Sequence, residues 1–256
     1  GNIVQKIYLN GLKCETIILN TDLQALSRQR AHHLIPIGRN VTRGGGAGAD
    51  PDLGRKAAEE SIHEVLNKVE DADLLLIVAG LGKNLNTMII IDNNMINEVV
   101  SLESRVKDAY GIVDEVVKNC VESIISVVQD YSEINVDFND LKALIARGGL
   151  GYFSKGIAEK PEDLPKALAS VLNNPLLSGV SIKDVNGALV NVKTNGELKM
   201  SSFTQIMNEI RDSLPDHAGL KYGLLKEGDK SVKNYAEIYF IGTTGKTDNG
   251  DVISKI

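Results

Sequence analysis

Tryptophan is absent from this 256-residue chain and aromatic residues reach only 4%, so any core has to be assembled from Ile, Leu, Val and Ala. Cysteine is nearly absent. Cys14 and Cys120 lie far apart in apolar surroundings, which excludes a disulfide framework and reads as two reduced, buried thiols of a cytosolic protein. A basic excess is missing as well: 28 Lys and Arg face 34 Asp and Glu, for a net charge of -6, which speaks against nucleic acid as a partner. No apolar run approaches the ~18 residues of a membrane span, and no signal-peptide pattern opens the chain. CxxC, HExxH and GxSxG do not occur, and His32, His33, His63 and His217 show no metal-ligand spacing. Hydrophobic residues at 43% and charged residues at 24% fit a folded globular chain and exclude disorder. Glycine, by contrast, is plentiful, with 24 residues gathered in clusters.

The first third alternates short apolar runs with amphipathic stretches. Residues 3–8 carry helical spacing that Gly11 stops. Cys14 to Leu19 reads as a short buried strand, Leu23 to Arg28 as a short helix, and His33 to Ile37 as another brief apolar piece, interrupted by Pro36. A glycine-rich loop, Gly44-Gly45-Gly46-Ala47-Gly48-Ala49, runs into Asp50-Pro51, a helix start with a capping acid and proline at the first helical position. Leu74 to Ala79 is wholly apolar and of strand length, and Met88 to Ile91 is another such run. This is the pattern of an α/β domain with a mainly parallel sheet. From Val106 to Gln129 apolar residues cover most of a helix circumference, as in a spine buried on several sides. Beyond it, a helix over residues 135–147, another over 162–173, one over 202–214, and strands at 188–192, 220–225 and 236–241 describe a smaller α+β domain. The expected organisation is a nucleotide-binding domain over 1–105, a central helix over 106–131, a C-terminal domain over 132–245 and a polar tail over 246–256.

One junction breaks the pattern. Between Gly82 and Lys83 the text passes from a strand and glycine turn straight to the approach of the next strand. A parallel crossover needs a dozen residues or more. The chain also opens on Gly1-Asn2 directly before a helix, so segments at both places are expected to be missing from the chain as written.

Individually the polar motifs have two readings. The Gly44–Asp50 loop with the helix behind it can gather backbone N–H groups and a positive helix end around a phosphate, or it can be a turn that binds nothing. Asp137 and Asp140 can cap a helix, where the dipole favours carboxylates, or carry chemistry. Asp114 on the spine can recognise a ligand or face solvent.

Their order is more telling. Asn20-Thr21-Asp22, then Thr42-Arg43-Gly44-Gly45-Gly46-Ala47-Gly48-Ala49-Asp50-Pro51, then Ala79-Gly80-Leu81-Gly82, then Asn135-Val136-Asp137-Phe138-Asn139-Asp140 closely resembles the FtsZ branch of the tubulin/FtsZ family. Gly151-Tyr152, Ser154-Lys155-Gly156 and Gly187-Ala188-Leu189-Val190-Asn191-Val192 continue the match. The resemblance implies a Rossmann-like GTP-binding domain, a long central helix and a smaller C-terminal domain. It implies a GTPase that polymerises head to tail in the cytoplasm at the division site, with GTP or GDP, Mg²⁺, and membrane-tethering and division proteins as partners. Gly1 and Asn2 would be the remnant of a first nucleotide loop. Asn20, Thr21 and Asp22 would border the nucleotide, Gly46, Ala47 and Gly48 would approach the phosphates, and Gly80 and Gly82 would begin the main phosphate loop. Tyr110 would stack on guanine and Asp114 would accept from its N1 and N2 donors, a pair that adenine does not offer. Asn135, Asp137 and Asp140 would act on the nucleotide of the next subunit. The chain departs from the family at Gly45, where leucine is usual, and over the glycine/threonine-rich phosphate motif expected after Gly82. A non-hydrolysing structural paralogue with weak nucleotide binding is the alternative if that motif is truly gone.

Overall fold

A computed structural model describes residues 2–79, 87–91, 105–129, 132–134, 136–175, 180–225 and 233–245, with the backbone alone described for 106–110, 126–129 and 132–134. The chain divides into two compact units, Gly1–Gly80 and Leu81–Ile256.

In the first unit α1 (Asn2–Leu9) buries Ile7 and ends where expected, at Gly11 with φ +66°, whose N–H donates to Tyr8 O at 3.1 Å. Strands β1 (Ile17–Asn20) and β2 (His33–Pro36) pair in parallel, Ile18 opposite Leu34. Between them Asp22 caps α2 (Leu23–Ser27), its carboxylate accepting from the Ala25 N–H at 2.9 Å. Helices α3 (Arg39–Thr42), α4 (Pro51–Glu60) and α5 (Ile62–Leu66) follow. Asp50 caps α4 by accepting from Asp52 and Leu53 at 2.9 and 3.2 Å, as the Asp-Pro signal predicts. Gly38, at φ +64°, has no room for a side chain: a Cβ there would stand 2.2 Å from Ala57 Cβ. Parallel strands joined through helices make this unit α/β.

The apolar run at Leu74 to Ala79 departs from expectation. It forms no strand, and Leu75 and Ile77 are 53% and 56% exposed. A parallel strand is stable when neighbours pair its edges and layers cover both faces. The two described strands of this unit pair with each other and not with the run, so its hydrophobicity has no ladder to enter.

The second unit holds the long helix α6 (Val106–Gln129) and a six-stranded mixed sheet of order β3-β5-β8-β6-β7-β4. β3 (Thr87–Ile89) joins it parallel to β5 (Gly149–Ala158). Residues 87–89 thus belong with the C-terminal sheet and not with the nucleotide-binding unit assigned to 1–105. A short apolar run carries no mark of which sheet it will enter, and here Thr87 Oγ1 ties it down by donating to Ile145 O at 2.9 Å. β8 (Ala236–Thr243) runs antiparallel to both β5 and β6 (Gly187–Lys193). β6 is parallel to β7 (Gly219–Leu225), and β4 (Ser132–Ile134) closes the edge. Helices α8 (Leu164–Leu172) and α9 (Met200–Ser213) bury Leu168, Val171, Ile206 and Ile210 against Tyr152, Val190, Ile238 and Phe240. α7 (Phe138–Ala146) buries Leu141 and Leu144.

Candidate functional site

The Asn20–Asp22 turn and the glycine loop fold onto each other. Asn20 Oδ1 accepts from the Asp22 N–H at 3.0 Å. The Thr21 carbonyl accepts from the Gly46 N–H at 3.2 Å, and Thr21 Oγ1 accepts from the Ala47 N–H at 3.1 Å. Thr42 serves the other end of the loop, with Oγ1 accepting from Gly44 at 3.3 Å and the carbonyl from Gly45 at 3.1 Å. Asp22 and Gly45 complete an antiparallel bridge. The structure therefore brings Asn20, Thr21, Asp22, Gly46 and Ala47 into one constellation. It also spends four successive loop amides, 44 to 47, on internal bonds. Among the described hydrogen bonds none uses the N–H of Gly48 or Ala49. Both residues have positive φ, +59° and +63°, uncommon for a residue with a Cβ such as Ala49. They stand directly before the α4 start, so of the expected Gly46, Ala47 and Gly48 it is Gly48, with Ala49 beside it, whose donors are not spent on the described internal bonds.

Asn2 begins α1 at the surface, and its side-chain oxygen accepts from Gln29 Nε2 at 3.4 Å. Gly1, Gly80, Gly82 and Asn135 lie outside the described residues. Tyr110 and Asp114 fall one turn apart on α6 and so share a helix face. Asp114 is half-buried, and the Tyr110 side chain lies outside the description.

The acid pair sits at the start of α7. Asp137 accepts from the Asp140 N–H at 2.8 Å, and Asp140 Oδ2 accepts in return from the Asp137 N–H at 3.4 Å, a reciprocal capping box. The capping reading is realised, and it fixes both carboxylates at an accessible helix start. Asp137 is exposed and the Asp140 side chain retains 27% of its exposure. A residue the sequence did not single out joins them: Lys221, on β7, places its ammonium 3.4 Å from Asp140 Oδ1.

Elsewhere in this unit a cleft of about 320 Å³ is bounded by Ile112, Val116 and Asn119 of α6 and by Phe153, Lys155 and Ile157 of β5. Lys155 pairs with Glu237 at 3.1 Å, and Tyr239 donates its hydroxyl to the same carboxylate at 2.7 Å. Burial alone would raise the Glu237 carboxyl. The Tyr239 hydroxyl, the Lys155 ammonium and the Asn234 amide outweigh it and hold the group below the usual carboxylate range. Burial and the Glu237 carboxylate push the Tyr239 phenol far up, and burial pushes the Cys120 thiol up to about 12, which makes it an inert core group.

Two family profiles match the chain: the tubulin/FtsZ family GTPase domain over residues 2–84 and the FtsZ family C-terminal domain over 149–244. The chain belongs to the tubulin/FtsZ family. The GTPase-domain match takes in the turn and glycine loop, and the FtsZ C-terminal match takes in β5 to β8. Asp114, Asp137 and Asp140 fall between the two. Cell division protein FtsZ 1 of Methanocaldococcus jannaschii is 26% identical over 293 residues, covering 95% of this chain and 79% of that protein. FtsZ of Aquifex aeolicus is 28% identical, covering 89% and 76%. The first alignment is longer than the whole 256-residue chain, so that FtsZ carries residues with no counterpart here. Among solved structures, the empty FtsZ dimer of M. jannaschii superposes with a TM-score of 0.82 at 25% identity, over 94% of this chain and 84% of that one. A GDP-bound CetZ1 monomer of Haloferax volcanii, at 14% identity and TM-score 0.71 over 99% and 93%, shares the fold.

Proposed function

We propose that this chain binds GTP and hydrolyses its γ-phosphate within a head-to-tail polymer of its own copies, as a cell-division filament protein. The observation that carries the reading is the acid pair. Asp137 and Asp140 are locked by reciprocal bonds at an accessible helix start, in a chain whose first unit matches a GTPase domain. Relatives named for cell division and a relative solved as a dimer support it. Asn20, Thr21, Asp22 and the Gly46–Gly48 loop are assigned to the nucleotide, with Gly48 and Ala49 donating to phosphate. Tyr110 and Asp114 are assigned to guanine. Mg²⁺ would arrive on the triphosphate, whose oxygens suit it; among the described residues no group of three or more His, Cys, Asp or Glu could hold a metal.

In the reaction a water oxygen bonds to the γ-phosphorus as the bond to the β–γ bridging oxygen breaks, and that electron pair leaves with GDP. Asp140 orients the water and takes its proton, which then passes to phosphate or solvent. Because acids and nucleotide come from different copies, specific activity should be negligible in dilute chain and rise with polymer.

Asp140→Asn is the informative variant. It keeps an oxygen for the capping box but loses the base, so turnover should fall by about 10²–10⁴-fold with GTP binding intact. If Asp140 only caps, Asp140→Ala should cost about 0.3–1 kcal/mol of stability and Asp140→Asn should hydrolyse GTP like the parent chain. The alternative of a weak-binding, non-hydrolysing paralogue draws support from the four loop amides already bonded internally. It predicts no turnover in the parent chain at any polymer concentration.

A further inference from the structure

Both oxygens of Asp140 are occupied in the free subunit. Oδ2 accepts the Asp137 N–H at 3.4 Å, and Oδ1 faces the Lys221 ammonium at 3.4 Å. Each carboxylate oxygen carries two lone pairs, and Oδ1 is the one whose present partner can leave without opening the helix cap. Its partner is well suited to leave. The Lys221 side chain is 67% exposed, and such a solvated pair is weak and easily exchanged. The surface also has an electrostatic problem to solve. Two carboxylates at one helix start would repel an arriving triphosphate, and Lys221, on β7 and 3.4 Å from Asp140, is a cation placed to offset them.

We propose that Lys221 is a lysine acting across the subunit contact: it covers Asp140 Oδ1 in the free chain and exchanges that oxygen for the γ-phosphate of the neighbouring copy's nucleotide. This rests on the shared-site hydrolysis proposed above. The exchange does two things at once. It frees a further lone pair on the oxygen that receives the water proton, and it places a positive charge against the phosphoryl oxygens on which negative charge is carried in the transition state. Lys221 keeps its proton throughout, so the balance of the hydrolysis is unchanged.

The test compares Lys221→Gln and Lys221→Arg with the parent chain, measuring GTP turnover per mass of sedimented polymer and, separately, affinity of dilute subunits for a fluorescent GTP analogue. Lys221→Gln should lose about ten- to a hundredfold in turnover, less than the ~10³–10⁵ attributed to a rigid guanidinium acting in trans. Its affinity for the analogue should be unchanged, because the lysine serves the neighbour's nucleotide. Lys221→Arg should retain most of the turnover, which a purely packing role would not require. Equal turnover in Lys221→Gln and the parent overturns the assignment. Should Lys221→Gln not assemble alone, it is copolymerised with excess parent chain; activity that then stays proportional to total chain overturns the assignment equally. A parent chain that forms polymer without hydrolysing GTP overturns the underlying hydrolysis reading, a result distinct from activity that is indifferent to Lys221.

Discussion

Three glycines in a row do not carry equal conformational demands. Gly44 and Gly46 sit at φ +76° and +86°, and a Cβ on Gly44 would meet Leu23 Cδ1 at 2.5 Å. Gly45 lies outside the left-handed region, bridged to Asp22, and a Cβ there would meet only Thr42 O at 3.6 Å. The position therefore accepts a side chain, in keeping with the leucine usual in the family. Gly45→Ala should stabilise the chain by about 0.4–1 kcal/mol, because it removes freedom from the unfolded loop without straining the folded one. Gly46→Ala, made at a left-handed position, should destabilise it. Urea unfolding midpoints of the two variants distinguish them, and equal shifts of the same sign would contradict the loop geometry described. Other single residues were legible in the sequence because their signals are local. Asp50 before Pro51, the three-residue spacing of Asp137 and Asp140, and Gly11 after an amphipathic turn each specify a cap within one helical turn. Lys221 carried no such signal. Its partner Asp140 lies on another element, and only the sheet brings the two together.

At the scale of elements, the same distinction separates what could be read from what could not. The longer helices announced themselves by periodicity and caps, and β6, β7 and β8 by apolar runs; the four-residue α3, with no side-chain cap, did not. β5 did not, although at ten residues it is the longest strand among those described and lies inside the sheet between β3 and β8. Its sequence, Gly149-Leu150-Gly151-Tyr152-Phe153-Ser154-Lys155-Gly156-Ile157-Ala158, holds three glycines, which lower strand propensity. They serve close packing instead. A Cβ at Gly151 would meet Ile89 Cγ1 at 2.5 Å, and one at Gly156 would stand 2.1 Å from Ala167 O and 2.8 Å from Val171 Cγ2. Gly156→Ala should consequently push α8 off β5 and cost about 1–3 kcal/mol, readable as a lower thermal midpoint. A wild-type midpoint would mean that helix and strand are further apart than described. The opposite error occurred at 74–79, where a run with every strand-like property forms no ladder, because strand formation depends on neighbours that composition does not reveal.

Across the whole molecule, burial is unevenly shared. The second unit has a contiguous core between one sheet face and two helices, whereas in the first unit Ile7, Ile18, Leu26, Ile35 and Ala57 account for the buried apolar residues described. Local opening should accordingly start in the first unit. The exposed run from Leu75 to Val78 has a further consequence, in the calorimetry of the chain. Side chains already in water before unfolding add nothing to the hydration change when the chain unfolds. Replacing Leu75 and Ile77 together by serine should therefore leave the denaturant slope and the unfolding heat capacity of dilute subunits unchanged. A fall in either for that variant would show the run to be covered in solution. If polymer formation covers the run, assembly should show a negative heat-capacity change that the serine variant reduces, measurable by titration at several temperatures.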